Sequence, residues 1–190
     1  MVTADLTSRD ALIVVDVQND FCPGGRLPVP EGDEVVPVIN QWIERAQRAG
    51  SLVIASRDWH PRGHVSFREQ GGTWPEHCVQ DSDGARFHPG LDLPADVVKV
   101  SKGVRLDRDQ YSAFDDTGLG SFLRGRNIDR VWVAGLAQDV CVRATVLSAL
   151  EEGFDTVLLT EGTRAIDAEG GRLAVEEMQQ AGARTTERRM

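Results

Sequence analysis

Long apolar runs are missing from this 190-residue chain. None approaches the roughly 18 residues that a membrane span needs. The first ten residues carry acids and no apolar stretch of the kind a secretory leader uses. Cysteine is scarce, with three widely spaced residues. An odd number argues against a disulfide scaffold and fits a reduced, cytoplasmic protein. Positive charge is in deficit, 21 Lys and Arg against 30 Asp and Glu, for a net charge of -9. Such a surface repels phosphate backbones and offers anionic lipids nothing, so neither a nucleic-acid nor a membrane partner is expected. No repeat, low-complexity tract or linker divides the chain. Its length and 41% apolar content suit a single domain over residues 1–190. The composition is compatible with a homo-oligomer.

What is present is a regular alternation. Ala11–Val15 is a short continuous apolar run ending at Asp16, which reads as a buried parallel strand. Val35, Val38, Ile39, Trp42, Ile43 and Ala46 recur at helical spacing, and Gly50 stops that helix. Strands follow at Leu52–Ala55, Val97–Val100, Val131–Ala134 and Thr156–Leu159, with a short sixth near Ala183–Thr186. Helices are expected over Gly118–Gly125, Asp139–Leu150 and Ala168–Ala181. Strands alternating with helices imply βαβ units. The expected fold is a single Rossmann-like three-layer α/β domain. Its sheet has about six strands, mainly parallel, with helices on both faces.

In such a sheet, ligands bind beyond the carboxyl ends of the strands. Asp16, Asp58, Lys102 and the segment ending in Cys141 each follow a different expected strand, so they converge on one crevice. Asp58 and His60 stand two residues apart, and on an extended strand end such residues point the same way. His64 and His77 lie in the long Gly- and Pro-rich stretch Trp59–Pro94. Three of the four histidines thus fall within 18 residues, beside a strand-end carboxylate. Oxygen and nitrogen donors of this kind suit Zn²⁺, Fe²⁺ or Mn²⁺. His64 is read either as a ligand or as a group behind the ligands. His88 lacks a comparable setting and is read as surface or loop packing.

Cys141 lies near the start of an expected helix, whose partial positive charge favours thiolate. The free N–H groups there can also hold an oxyanion. A nucleophilic thiol needs a base, and Asp16 ends the neighbouring strand. Lys102 can keep Asp16 ionised or stabilise developing negative charge. Cys22 and Cys78 lie in loops without a helix start and are not expected to be nucleophiles.

Seven stretches then stand in order: Asp16-Val-Gln-Asn-Asp-Phe21, Asp58-Trp-His-Pro61, His64-Val-Ser-Phe67, Gly72-Thr-Trp-Pro-Glu-His-Cys78, Lys102-Gly103, Tyr111-Ser-Ala-Phe114 and Gly135-Leu-Ala-Gln-Asp-Val-Cys-Val142. Together they resemble the nicotinamidases, the metal-dependent branch of the isochorismatase-like cysteine hydrolases. The resemblance implies a catalytic triad of Cys141, Asp16 and Lys102. It implies metal ligands Asp58, His60 and His77 with His64 nearby, and one divalent ion, most simply Zn²⁺. It implies that Phe21 and Trp74 clamp the pyridine ring of nicotinamide. It also implies a cis peptide before Ala137, with the N–H groups of Ala137 and Cys141 forming an oxyanion hole. Pyrazinamide is a further expected substrate, and the implied role is NAD salvage. Gln138 departs from the threonine common in relatives.

The rival readings are another amidase or carbamoyl hydrolase of the same fold, and a non-catalytic metal- or ligand-binding module. Metal-free relatives share the cysteine, aspartate and lysine but not the Asp-x-His plus His set. Cys141 argues against a vinyl ether hydrolase of the isochorismatase type.

Overall fold

The computed structural model describes residues 5–186. Its sheet has six parallel strands in the order β3-β2-β1-β4-β5-β6. These are β1 (Asp10–Val15), β2 (Leu52–Asp58), β3 (Val98–Lys102), β4 (Arg130–Leu136), β5 (Asp155–Arg164) and β6 (Arg184–Thr185). The helices are α1 (Val35–Ala49), α2 (Leu119–Arg124), α3 (Arg143–Glu151) and α4 (Ala168–Gln180). Every strand expected from the sequence is present. No helix among the described residues is long and apolar enough to cross a membrane.

The apolar run of β1 has no period because both of its faces are covered. Leu12 and Val14 point toward α1 and pack with Ile39, Ile43 and Trp132. Ala11, Ile13 and Val15 point the other way, into a core built with Leu123, Val146 and Met178 of α2, α3 and α4. Removing one such side chain, as in Leu12→Ala, costs about 2–5 kcal/mol. Gly50 closes α1 in the left-handed region at φ 68°, with its N–H on the carbonyls of Ala46 and Gln47.

Two differences from the sequence reading shape the site, beyond strand ends that run two or three residues further than expected. β5 runs on to Arg164, because a bulge opposite β4 resets the register and pairs Gly135 with Thr163 and Leu136 with Arg164. The helix expected over Asp139–Leu150 is split. Gln138–Val142 forms one wide π-helical turn, and regular α-helix begins only at Arg143. Between them, β1 and β4 are adjacent, but their chains leave toward opposite halves of the sheet. That reversal opens a crevice at their carboxyl ends.

Candidate active site and metal centre

Asp16 is the first residue past β1 and takes φ 50°, the left-handed region that aspartate tolerates better than most residues. Asp58 and Lys102 are the last residues of β2 and β3 and lie opposite each other in register. Cys141 sits inside the π-helical turn beyond β4. A cis peptide joins Leu136 to Ala137 where that turn begins.

These four side chains meet out of solvent. Lys102 Nζ lies 2.7 Å from Asp16 Oδ2, 2.5 Å from Asp58 Oδ1 and 3.3 Å from Cys141 Sγ. Asp16 and Lys102 are fully buried, and Cys141 is 5% exposed. Ser56 donates to Asp16 Oδ1 at 2.7 Å. The contact of Asp16 Oδ2 with Lys102 is ionic and lacks hydrogen-bond geometry, so that oxygen keeps a lone pair free.

Burial and charge set the protonation. Burial alone would lower the Lys102 pKa, but Asp16, Asp58 and Cys141 hold it well above its ordinary value. Burial would raise Asp58, yet Lys102 and the two histidines keep its carboxyl well below the usual range. Asp16 stays raised, because burial and the nearby Asp58 charge outweigh Lys102. Lys102 opposes that rise without cancelling it. The expected lowering of the Cys141 thiol is absent. Burial pushes it well up, only partly offset by Lys102, and Asp16 and Asp58 add to the rise.

The histidines stand on the other side of Asp58. His60 Nδ1 faces the Gly103 carbonyl at 3.1 Å, and His77 Nδ1 faces the Pro75 carbonyl at 2.7 Å. A carbonyl can only accept, so both Nδ1 atoms carry a proton, and in the neutral form of each ring the lone pair sits on Nε2. Those Nε2 atoms lie 3.7 and 3.8 Å from Asp58 Oδ2. All three donor atoms fall within 4.8 Å of one another. This is the donor chemistry of a divalent cation with tautomers already set for it.

His64 is turned elsewhere. Its Nε2 lies 2.5 Å from the Arg105 carbonyl, and its Nδ1 lies 2.7 Å from Ser66 Oγ. Both nitrogens are engaged, and the side chain ties two loops together.

Gly103 is required where it is. At φ +67°, a Cβ there would come within 2.5 Å of His60 Cε1. Gln18 is a residue whose part the sequence did not disclose. Its Nε2 donates to the Asp58 carbonyl at 2.8 Å and to the Ala85 carbonyl at 2.9 Å, and its Oε1 accepts from Asp58 N at 2.8 Å. Asp20 does the same for the His77 loop, with Oδ2 accepting from Cys78 N at 2.7 Å. Both are buried polar residues inside a quoted motif, and only the fold reveals what they hold. Cys22 and Cys78 are buried, free thiols, both pushed up first by burial.

Phe21, Trp74, Asp58, His60, His77, Ala137 and Cys141 all line one cavity of about 550 Å³ counted to its open mouth. Phe21 sits 5.5 Å from the His77 ring. Tyr111, Asp109, Val140 and Ile166 also line it, with the Leu27–Val29 stretch. Gln138 does not enter it. Its Nε2 donates to Thr163 Oγ1 at 2.8 Å, and its neighbour Asp139 accepts from Ile166 N at 3.0 Å. The departure from threonine thus serves to fasten the π-turn to the end of β5.

A buried thiol, a carboxylate and a lysine at the switch point of a parallel sheet are what a nucleophilic hydrolase needs. The chain belongs to the Isochorismatase domain family, which matches residues 10–190. A nicotinamidase of Escherichia coli strain K12 is 43% identical, the alignment covering 91% of this chain and 92% of that one. The nicotinamidase/pyrazinamidase of Mycobacterium tuberculosis is 38% identical, over 90% and 95%. Among solved structures, the pyrazinamidase of Pyrococcus horikoshii in complex with zinc superposes with a TM-score of 0.92 at 47% identity, covering 95% of this chain and 99% of that one. The L. infantum protein in complex with nicotinate gives 0.90 at 37%, over 98% and 96%.

Proposed function

We propose that this chain is a metal-dependent amidohydrolase converting nicotinamide to nicotinate and ammonia through a thioester on Cys141, with pyrazinamide as a second substrate and a role in NAD salvage. The observation that carries the reading is the double use of Asp58, which faces the Lys102–Asp16–Cys141 trio with one oxygen and the Nε2 atoms of two imidazoles with the other.

Asp58, His60 and His77 would hold the ion, most simply Zn²⁺. When bound, it supplies a Lewis-acidic anchor for a ring nitrogen. Phe21 and Trp74 hold the faces of the ring, which aims the amide at Cys141. Asp16 accepts the thiol proton, and its raised pKa makes it a stronger base than a free carboxylate. The thiolate attacks the amide carbon. The N–H groups of Ala137 and Cys141 receive the oxyanion, a service worth about 10²–10³-fold per donor in other enzymes. Asp16 then gives its proton to the departing nitrogen, ammonia leaves, and the thioester remains. Water, deprotonated by Asp16, attacks that carbonyl. Nicotinate leaves, and Cys141 recovers its proton. Lys102 keeps its charge throughout and balances the negative charge that moves between sulfur and oxygen.

The test compares nicotinamide with benzamide, which has the same amide but no ring nitrogen. Hydrolysis of nicotinamide with little or none of benzamide supports ring anchoring beside the triad. Equal rates would remove it.

A further inference from the structure

We propose that Tyr111 is a positioning residue for the reaction, its hydroxyl holding the Trp74 indole in place as one wall of the ring pocket. The inference rests on the nicotinamide reading above.

Trp74 lies on the loop between His64 and His77. Its backbone is paired with that of the same loop, through Trp74 N to Ser66 O at 3.0 Å and Arg68 N to Trp74 O at 2.8 Å. Those bonds fix the main chain but leave the side chain two rotatable bonds. The indole has one polar atom, and it donates to Tyr111 Oη at 3.0 Å. Tyr111 comes from a different loop, 37 positions away in sequence. Both residues line the same cavity as Cys141.

The Tyr111 loop is braced independently. Gln110 is 2% exposed. Its Oε1 accepts from Val104 N at 3.1 Å, and its Nε2 donates to the Asp115 carbonyl at 2.6 Å. Burial and the neighbouring Asp109 raise the Tyr111 pKa, with Trp74 opposing, so the phenol stays neutral. Its oxygen accepts from the indole while its proton is available to Asp109. A stiff loop thus lends its rigidity to a side chain on its neighbour. A wall fixed before the ring arrives needs no ordering on binding. The amide reacts at Cys141, so the ring wall acts equally on bound substrate and transition state, and its loss falls on KM.

The test is a double-mutant cycle of Tyr111→Phe and Trp74→Phe. In the otherwise native enzyme, Tyr111→Phe is expected to raise KM for nicotinamide about tenfold, with kcat changing far less. In the Trp74→Phe background it should add nothing, because the two residues act as one unit. An unchanged KM, or the same rise with Trp74 already gone, overturns the inference. A second readout needs no substrate. The Trp74 Nε1–H resonance, assigned by its loss in Trp74→Phe, should exchange with solvent faster in Tyr111→Phe than in the native protein. Unaltered exchange overturns the inference, whereas faster exchange in an enzyme that ignores nicotinamide would sink the substrate reading alone.

Discussion

Lys102 and Asp58 end adjacent strands in register, and the ammonium of one lies 2.5 Å from Oδ1 of the other. The remaining Asp58 oxygen faces His60 and His77. The charged group around Cys141 and the proposed metal donors therefore share one carboxylate. This pair ties the two halves of the chemistry to the geometry of a parallel ladder.

Losing Lys102 removes the buried counter-charge that Asp16 and Asp58 share. Lys102→Ala is expected to abolish turnover and to destabilise the fold by about 3–5 kcal/mol, the usual cost of an uncompensated buried charge. Denaturant unfolding beside an activity assay checks both. A variant as stable as the native protein would contradict the ionic reading of the trio.

Gln18 touches no substrate, yet it grips both the N–H and the carbonyl of Asp58. Gln18→Ala should weaken metal binding by about 10–100-fold, the range for supports behind metal ligands. Competition with a chelator of known affinity measures this directly. Gly103→Ala should act in the same direction, because the added methyl displaces the His60 ring.

Stability should depend on pH through a pair far from the site. Burial raises the Asp10 carboxyl, but Arg130 and Thr7 outweigh it and leave the pKa below its ordinary value. The folded state therefore binds that proton less readily than the unfolded chain, whose aspartate titrates near 3.9. The stabilisation is complete above the unfolded value and fades as pH falls through the folded one. Asp10→Asn should cost about 1–3 kcal/mol at neutral pH. The gap from the native protein should narrow as the buffer is taken below about pH 4. A gap that stays constant would show that charge is not what Asp10 contributes.

The fold was legible because each strand is a short apolar run bounded by turn residues, and each helix has a cap or a period. The site was legible because chemistry-bearing residues fall at strand ends, where topology gathers them. The sequence reading missed effects that arise from three-dimensional contact. The π-turn around Cys141 looks like ordinary helix in sequence, since the extra residue per turn leaves no compositional mark. The raised thiol pKa depends on how deeply Asp16, Lys102 and Cys141 are buried together. The hydrogen bonds of Gln18 join residues 40 and 67 positions apart. The position of His64 was open in the sequence, and its ring is held between the Arg105 carbonyl and the Ser66 hydroxyl, groups that only the fold brings to it.

Cys141→Ala should release no ammonia while binding the same metal as the native protein. The thiol lies 3.3 Å from Lys102, outside the proposed donor group of Asp58, His60 and His77. Elemental analysis with a turnover assay checks both halves.

Ammonia release from nicotinamide, followed before chelator, after chelator and after metal is returned, tests the central claim most directly. The account predicts activity that disappears with the metal and comes back with it. Undiminished turnover by protein shown to be metal-free would contradict it.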